Sequence, residues 1–167
     1  MKKTRLLILT LILLVLDQAS KLWAVNTLIL HDPNAVIPML NWTLAYNEGA
    51  AFSFLANQSG WQRWLFSGLA LFASMVIFIW ILRLKKHEKI LGFGLSMILS
   101  GAIGNLIDRV RLGKVIDFID VYYQTAENSY HWPIFNVADM CICIGVVFIL
   151  LSSFFDKPQA SKYGSYN

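Results

Sequence analysis

The sequence predicts an all-α membrane protein: four transmembrane helices with long extracytoplasmic loops, the first loop including some β structure. Three observations lead there. Of 167 residues, 57% are hydrophobic and only 14% are charged, where an ordinary soluble domain carries about 25% charged residues. Four apolar runs are long enough to cross a bilayer, which takes about 20 residues. The basic residues flank those runs instead of forming a stripe, so the net charge of +4 points to a membrane and not to nucleic acid. The length suits one domain over residues 1–156, with 157–167 as a cytoplasmic tail.

The spans are Leu6–Val25, Trp64–Leu82, Ile90–Ile107 and Val137–Phe155. The first follows Lys2, Lys3 and Arg5, a start that resembles a secretory signal. An Asp-Gln pair then closes the apolar core and no small-x-small cleavage site follows, so the run is read as a retained span. Arg83, Lys85, Lys86 and Lys89 fill the short turn between the second and third spans, and Lys157 and Lys162 follow the fourth. A four-span path puts all of these on one side, which the positive-inside rule makes cytoplasmic. Both long loops, residues 27–60 and 108–136, are then outside, although Arg109, Arg111 and Lys114 run against the rule there. The third span carries Gly92, Ser96, Ser100 and Gly104 at intervals of four, a small-residue ridge that lets helices approach closely. Cys141 and Cys143 lie two apart on a helix and point roughly 200° from each other, so they are read as ordinary helix residues and not as a disulfide or metal pair.

Several polar residues sit where lipid should exclude them. Asp17 lies deep in the first span with Lys21 four residues on, the favourable order for a helical ion pair. They form either a self-neutralised pair or the support of a site. Asp139 heads the fourth span, and Asn136 three residues before it can cap that helix with Asp139 in the reciprocal position. Capping and catalysis are both open for it. Asp117 and Asp120 stand three apart in "VIDFID"; one can be solvated while the other faces protein, and replacement of Asp120 is expected to be tolerated. Asn105 and Arg109 end the third span, where a cation needs no catalytic reason. The common address of all these groups is the outer end of the helices. His31, His87 and His131 are scattered and suggest no serine–histidine pairing, and no HExxH motif, phosphate loop or outer thiol pair is present. Carboxylates remain, and two sharing one proton can activate a water.

Five stretches, "LDQASK", "YNEGAAFSF", "GNLIDR", "VIDF" and "FNVADM", resemble in this order the motif set of the lipoprotein signal peptidases, signal peptidase II. They cover about residues 16 to 145. The resemblance implies a four-helix aspartic protease of the bacterial cytoplasmic (inner) membrane. Its substrates would be diacylglyceryl-modified prolipoproteins, cleaved before the modified cysteine. The active site would face the extracytoplasmic side. Carried over by motif, the catalytic pair is Asp117 and Asp139. Asp17, Asn47, Asn105, Arg109 and Asn136 match the family's other polar site positions, and Lys21 and Gly49, within the same motifs, join them as substrate-binding or site-supporting residues. No metal or organic cofactor is expected. The partners are substrate and membrane lipid, without nucleic acid, and the chain is expected to be a monomer. The stretch between the two catalytic motifs is long, and the motifs do not set its shape.

Other classes compete less well. A proton-coupled transporter would continue its charged groups through the bilayer, yet the second span and most of the third have none. A quinone-linked thiol oxidase wants cysteines in outer loops. A purely structural membrane protein leaves the outer carboxylates unexplained.

Overall fold

The computed structural model describes residues 2–49 and 61–156. Among them the elements run α1 (Lys3–Thr27), β1 (Asn34–Ile37), β2 (Leu40–Asn47), α2 (Trp61–Arg83), α3 (Lys89–Leu112), β3 (Val115–Gln124), β4 (Ser129–His131) and α4 (Val137–Phe155). All four helices are long and apolar enough to cross a membrane, so the four expected spans are present. The expected tail 157–167, with Lys157 and Lys162, and residues 50–54 of "YNEGAAFSF" lie outside the described residues.

The β structure exceeds the expectation. The first loop supplies β1 and β2, but the second supplies β3 and β4, and all pair antiparallel in one sheet of order β1-β2-β3-β4. The run "VIDFIDVYY" is rich in β-branched and aromatic residues, which suit a strand. It hides from a search for alternation because Val115–Asp120 is buried on both faces. A cluster of Trp23, Trp42 and Phe118, with ring centroids 5.8–6.0 Å apart and Trp23 edge-to-face with both others, fastens the sheet to the C-terminal part of α1. Beneath it Ala24, Leu44, Ile116, Phe118 and Ile119 form one buried apolar cluster. A second cluster, Leu6, Ile81, Leu95 and Leu99, lies toward the other end of the bundle.

Helix α3 is the axis. Its apolar stretch is 56% buried, against 17–22% for the other three helices, whose outward side chains, such as Leu11, Phe72 and Leu150, suit lipid. Small residues on two faces of α3 set the packing. The expected ridge meets α1: a Cβ on Gly92 would strike Leu6, Thr10 Oγ1 donates to the Ser96 carbonyl at 3.2 Å, and Gly104 lies against Asp17. The other face meets α4. A Cβ on Gly101 would lie 2.3 Å from the Ala138 carbonyl oxygen, so only glycine admits the first turn of α4 there.

α3 runs beyond the expected end at Ile107 and stops at Gly113, whose φ of 78° gives the left-handed cap. The additional turn holds Asp108 and Arg109 on the helix. At the opposite end, Asp156, just past α4, accepts hydrogen bonds from the backbone N–H groups of Lys89, Ile90 and Leu91 at 2.9–3.3 Å. One carboxylate thus caps the start of α3 and ties it to the end of α4.

Candidate active site

The site is built where the ends of α1, α3 and α4 nearest the sheet meet β2 and β3. Because Gly101 lets α4 lie against α3, Asn105, one turn further along, reaches the first turn of α4: its Nδ2 donates to Asp139 Oδ1 at 2.8 Å. Asp139 also completes the capping box expected from sequence. Its N–H donates to Asn136 Oδ1 at 3.0 Å, and its Oδ2 accepts from the Asn136 N–H at 3.2 Å. Asn136 then turns its Nδ2 to Asp117 Oδ1 at 2.6 Å, and to Asn105 Oδ1 at 3.2 Å. One fully buried asparagine therefore links the strand carboxylate to the helix carboxylate. Capping and site-building are the same set of bonds.

Asp117 is buried on β3, opposite Ala45 of β2. Burial, and next the neighbouring Asp139 carboxylate, push it up to about 7, against the opposing hydrogen bonds from Asn136 and Asn47.

The first-span pair proves to be part of a larger hub. Lys21 Nζ lies 3.0 Å from Asp17 Oδ2 and 2.8 Å from Asp108 Oδ2, and donates to Asn105 Oδ1 at 2.9 Å. Asp17 Oδ1 in turn accepts the Ala138 N–H at 2.9 Å, so the pair both neutralises itself and supports the head of α4. Sequence reasoning missed Asp108 and Gln18. Gln18 Nε2 donates to Asp17 Oδ2 and Asp108 Oδ1 at 3.1 and 3.2 Å, and Asp108 Oδ2 also accepts the Ile116 N–H at 3.3 Å, steering α3 into β3. The signal was available: an acid directly after the expected end of a span, three residues after Asn105 and on the same face if the helix continues.

Asn47, Asn105, Arg109, Asp117 and Asp139 line one cavity of about 710 Å³, otherwise walled mainly by apolar residues. Gly49 belongs to its rim, since its carbonyl accepts from Arg109 Nη2 at 3.2 Å and its N–H donates to Asn47 Oδ1 at 3.0 Å. Arg109 also rests on the Phe66 ring, with its guanidinium carbon 5.8 Å from the centroid. Cys141 is buried, Cys143 is exposed, and both are free thiols. Among the described residues no group of three or more His, Cys, Asp or Glu could hold a metal ion.

Two expectations need correction. Asp120 is not a solvated neighbour of Asp117. It is 2% exposed and takes hydrogen bonds from Thr43 Oγ1 at 2.9 Å and Asn41 Nδ2 at 3.4 Å. A serine–histidine contact does exist: Ser129 Oγ lies 3.1 Å from His131 Nε2, and His131 Nδ1 lies 2.8 Å from Asp120 Oδ1. The β3–β4 pairing brings these groups together, and no linear spacing announces it.

The family described as signal peptidase (SPase) II matches residues 9–155. The chain belongs to the signal peptidase II family. Curated relatives agree. The lipoprotein signal peptidase of Hydrogenovibrio crunogenus is 47% identical over 154 residues, covering 92% of this chain and 87% of that one. That of Pseudomonas putida is 49% identical over 152 residues, covering 90% and 87%. Among solved structures, a bacterial membrane enzyme determined by the in meso method at 2.3 Å resolution superposes with a TM-score of 0.79 at 28% identity, covering 97% of this chain and 94% of that one. A second such enzyme, at 1.9 Å resolution, gives 0.70 at 30% identity, with 92% and 95% covered. Signal peptidase II membership and the four spans make this chain a mostly helical, multi-pass membrane peptidase.

Proposed function

We propose that this chain is an aspartic endopeptidase that removes signal peptides from bacterial prolipoproteins, cutting before the diacylglyceryl-modified cysteine. The observation that supports it most is the pair of carboxylates at one cavity, bridged by Asn136 and with Asp117 pushed up to about 7. A water held between them loses a proton to the ionised carboxylate as its oxygen adds to the scissile carbonyl, while the protonated carboxylic acid protonates the carbonyl oxygen. The resulting tetrahedral gem-diol collapses with cleavage of the C–N bond. One carboxyl group of the pair then protonates the leaving amine, and the other takes back the hydroxyl proton. Asn105, Asn136 and Asn47 hold the pair without transferring protons. Arg109 and the Gly49 carbonyl orient the peptide. No metal or organic cofactor enters the reaction.

The remaining parts of the reading follow from charge and anchoring. The protein lies in the bacterial inner membrane as a monomer, a single domain over residues 1–156 with 157–167 as a cytoplasmic tail. Both termini and the 83–89 turn are cytoplasmic, because Lys3, Arg5, Arg83, Lys85, Lys86 and Lys89 share one end of the bundle. The dyad is then extracytoplasmic. Catalytic groups at the membrane boundary meet only a peptide bond held at that depth, and two acyl chains hold far more firmly than one.

The test is cleavage of one precursor peptide, with and without diacylglycerol, in the same detergent. Lipidated precursor should be cut by the wild type and not by Asp117→Asn or Asp139→Asn, with the double variant little worse than either single one. Equal cleavage of unlipidated peptide would remove the lipoprotein assignment. Near-normal turnover by either single variant would remove that aspartate from the mechanism.

A further inference from the structure

We propose that Asp120 and His131, outside the catalytic pair, are positioning residues that fix the apolar wall of the cavity against which the lipid-anchored peptide packs. The inference rests on the peptidase reading above. It starts from an irregularity in the strand that returns from β4 to α4. β4 pairs with β3 through Tyr122 and His131, and the next recorded pairing joins Ile119 and Phe135. From Tyr122 back to Ile119 is three steps, while from His131 to Phe135 is four. One extra residue is therefore accommodated between them, as in a β-bulge, and Pro133 within it has no N–H to give.

That bulge is the cavity wall: Trp132, Pro133, Ile134 and Phe135 all line the cavity that holds Asp117 and Asp139. At its far side Phe135 is fixed by backbone bonds with Phe118 and Ile119 at 2.8–3.1 Å, and Asn136 begins α4. At its near side the Trp132 N–H donates to the Val121 carbonyl at 2.8 Å. The side-chain fixture there is His131, whose Nδ1 meets Asp120 Oδ1 at 2.8 Å. Asp120 is a rigid anchor because β2 holds its other oxygen through Thr43 and Asn41. The Tyr122 ring stacks on the imidazole with centroids 5.4 Å apart. The clamp thus spans the irregular segment where a regular ladder cannot.

Ser129, His131 and Asp120 also show the order of bonds found in a serine hydrolase. Neither Ser129 nor His131 lines the cavity, however. The clamp reading therefore predicts that the Ser129 hydroxyl is dispensable.

The experiment measures kcat and KM for a lipidated precursor peptide, together with hydrogen–deuterium exchange of the 119–136 amides in the whole protein. His131→Ala should raise KM about tenfold, the loss of one hydrogen bond to a carboxyl group, and Asp120→Ala, which also strips Thr43 and Asn41 of their acceptor, at least as much, with kcat within about threefold. The double variant should be no worse than the worse single one. The Trp132 and Phe135 amides should exchange about tenfold faster, while those of α3 are unchanged. His131→Asn, whose amide can replace Nδ1, should restore most of both readouts. Should Asp120→Ala fail to fold, the half-exposed His131 still carries the test through its two substitutions. A fall in kcat at constant KM, additive single effects or unchanged exchange would overturn the clamp. Loss of turnover in Ser129→Ala would replace it with a serine-dependent site. If the wild-type protein cuts no lipidated precursor, the peptidase reading fails, and hydrogen exchange still decides whether the clamp exists.

Discussion

Replacing Asp117 by Asn should inactivate the enzyme and stabilise it above neutral pH, which separates a functional carboxylate from a structural one. The sign follows from proton linkage. The folded protein holds the Asp117 proton up to about 7, while the unfolded chain releases it near 3.8. Between those values the native state binds more protons, so stability is fully present below about pH 4 and falls as pH rises through about 7. At about 1.4 kcal/mol for each pH unit between the two values, the loss reaches about 4 kcal/mol above pH 8. Asn cannot ionise, and its amide oxygen can still accept the bond that Asn136 Nδ2 gives to Asp117. Thermal unfolding in one detergent, scanned at one rate from pH 4.5 to 8.5, reads the effect. Wild type should lose thermal stability across that range. The gap in favour of Asp117→Asn should open to the order of 10 °C at pH 8.5, at roughly 2–4 °C per kcal/mol, and narrow to a few degrees at pH 4.5. A variant no more stable than wild type at pH 8.5 would refute the raised, proton-holding state of Asp117, whatever its activity.

The hub and the packing give further tests. Lys21→Met leaves Asp17 and Asp108 buried without their cation and should destabilise by about 3–5 kcal/mol, visible as lost expression or a lowered melting temperature. Gly101→Ala should cost about 1–3 kcal/mol by overpacking and also lower kcat by lifting Asp139 from Asn105. Gly68→Ala, with nothing within 4 Å of the added carbon, should stay within about 0.5 kcal/mol of wild type. Chelators should leave cleavage of a lipidated precursor unchanged; loss restored by one metal would require another mechanism. A Lys86→Cys variant that also carries Cys141→Ala and Cys143→Ala should resist a membrane-impermeant thiol reagent in sealed cells, and labelling from outside would invert the topology.

What the sequence made legible was periodic or local. Four apolar runs give four helices, the spacing of Asn136 and Asp139 gives the capping box, and the Gly92-to-Gly104 ridge gives the α1 contact. What it hid depends on pairing between distant segments. Gly94 and Gly101 are seven apart, a second ridge whose use becomes plain only when Gly145 and Ala138 lie against it. The first six residues of β3 show no alternation because both faces are covered there. Asp120 and His131 are eleven residues apart and meet only across the β3–β4 register. Asp108 was the nearest miss, since it follows Asn105 by three residues on the same helical face and shares its lysine.

The arrangement also explains how a buried lysine can stand so near a carboxylate that, on the proposed mechanism, must keep its proton. A cation in direct contact with Asp117 would drive the proton off. Here Lys21 is occupied by Asp17 and Asp108, and it reaches the pair through a neutral amide, Asn105. Its pull on Asp117 is accordingly the weakest of the named influences, behind burial, Asp139, Asn136 and Asn47. The contact still orients the site. Because Lys21 and Asn136 both donate to Asn105 Oδ1, the amide can turn only its Nδ2 toward Asp139. The charge of Lys21 thus fixes the direction of an amide without discharging the acid beyond it. That is a reason for this end of the bundle to carry asparagines between Lys21 and the pair Asp117 and Asp139.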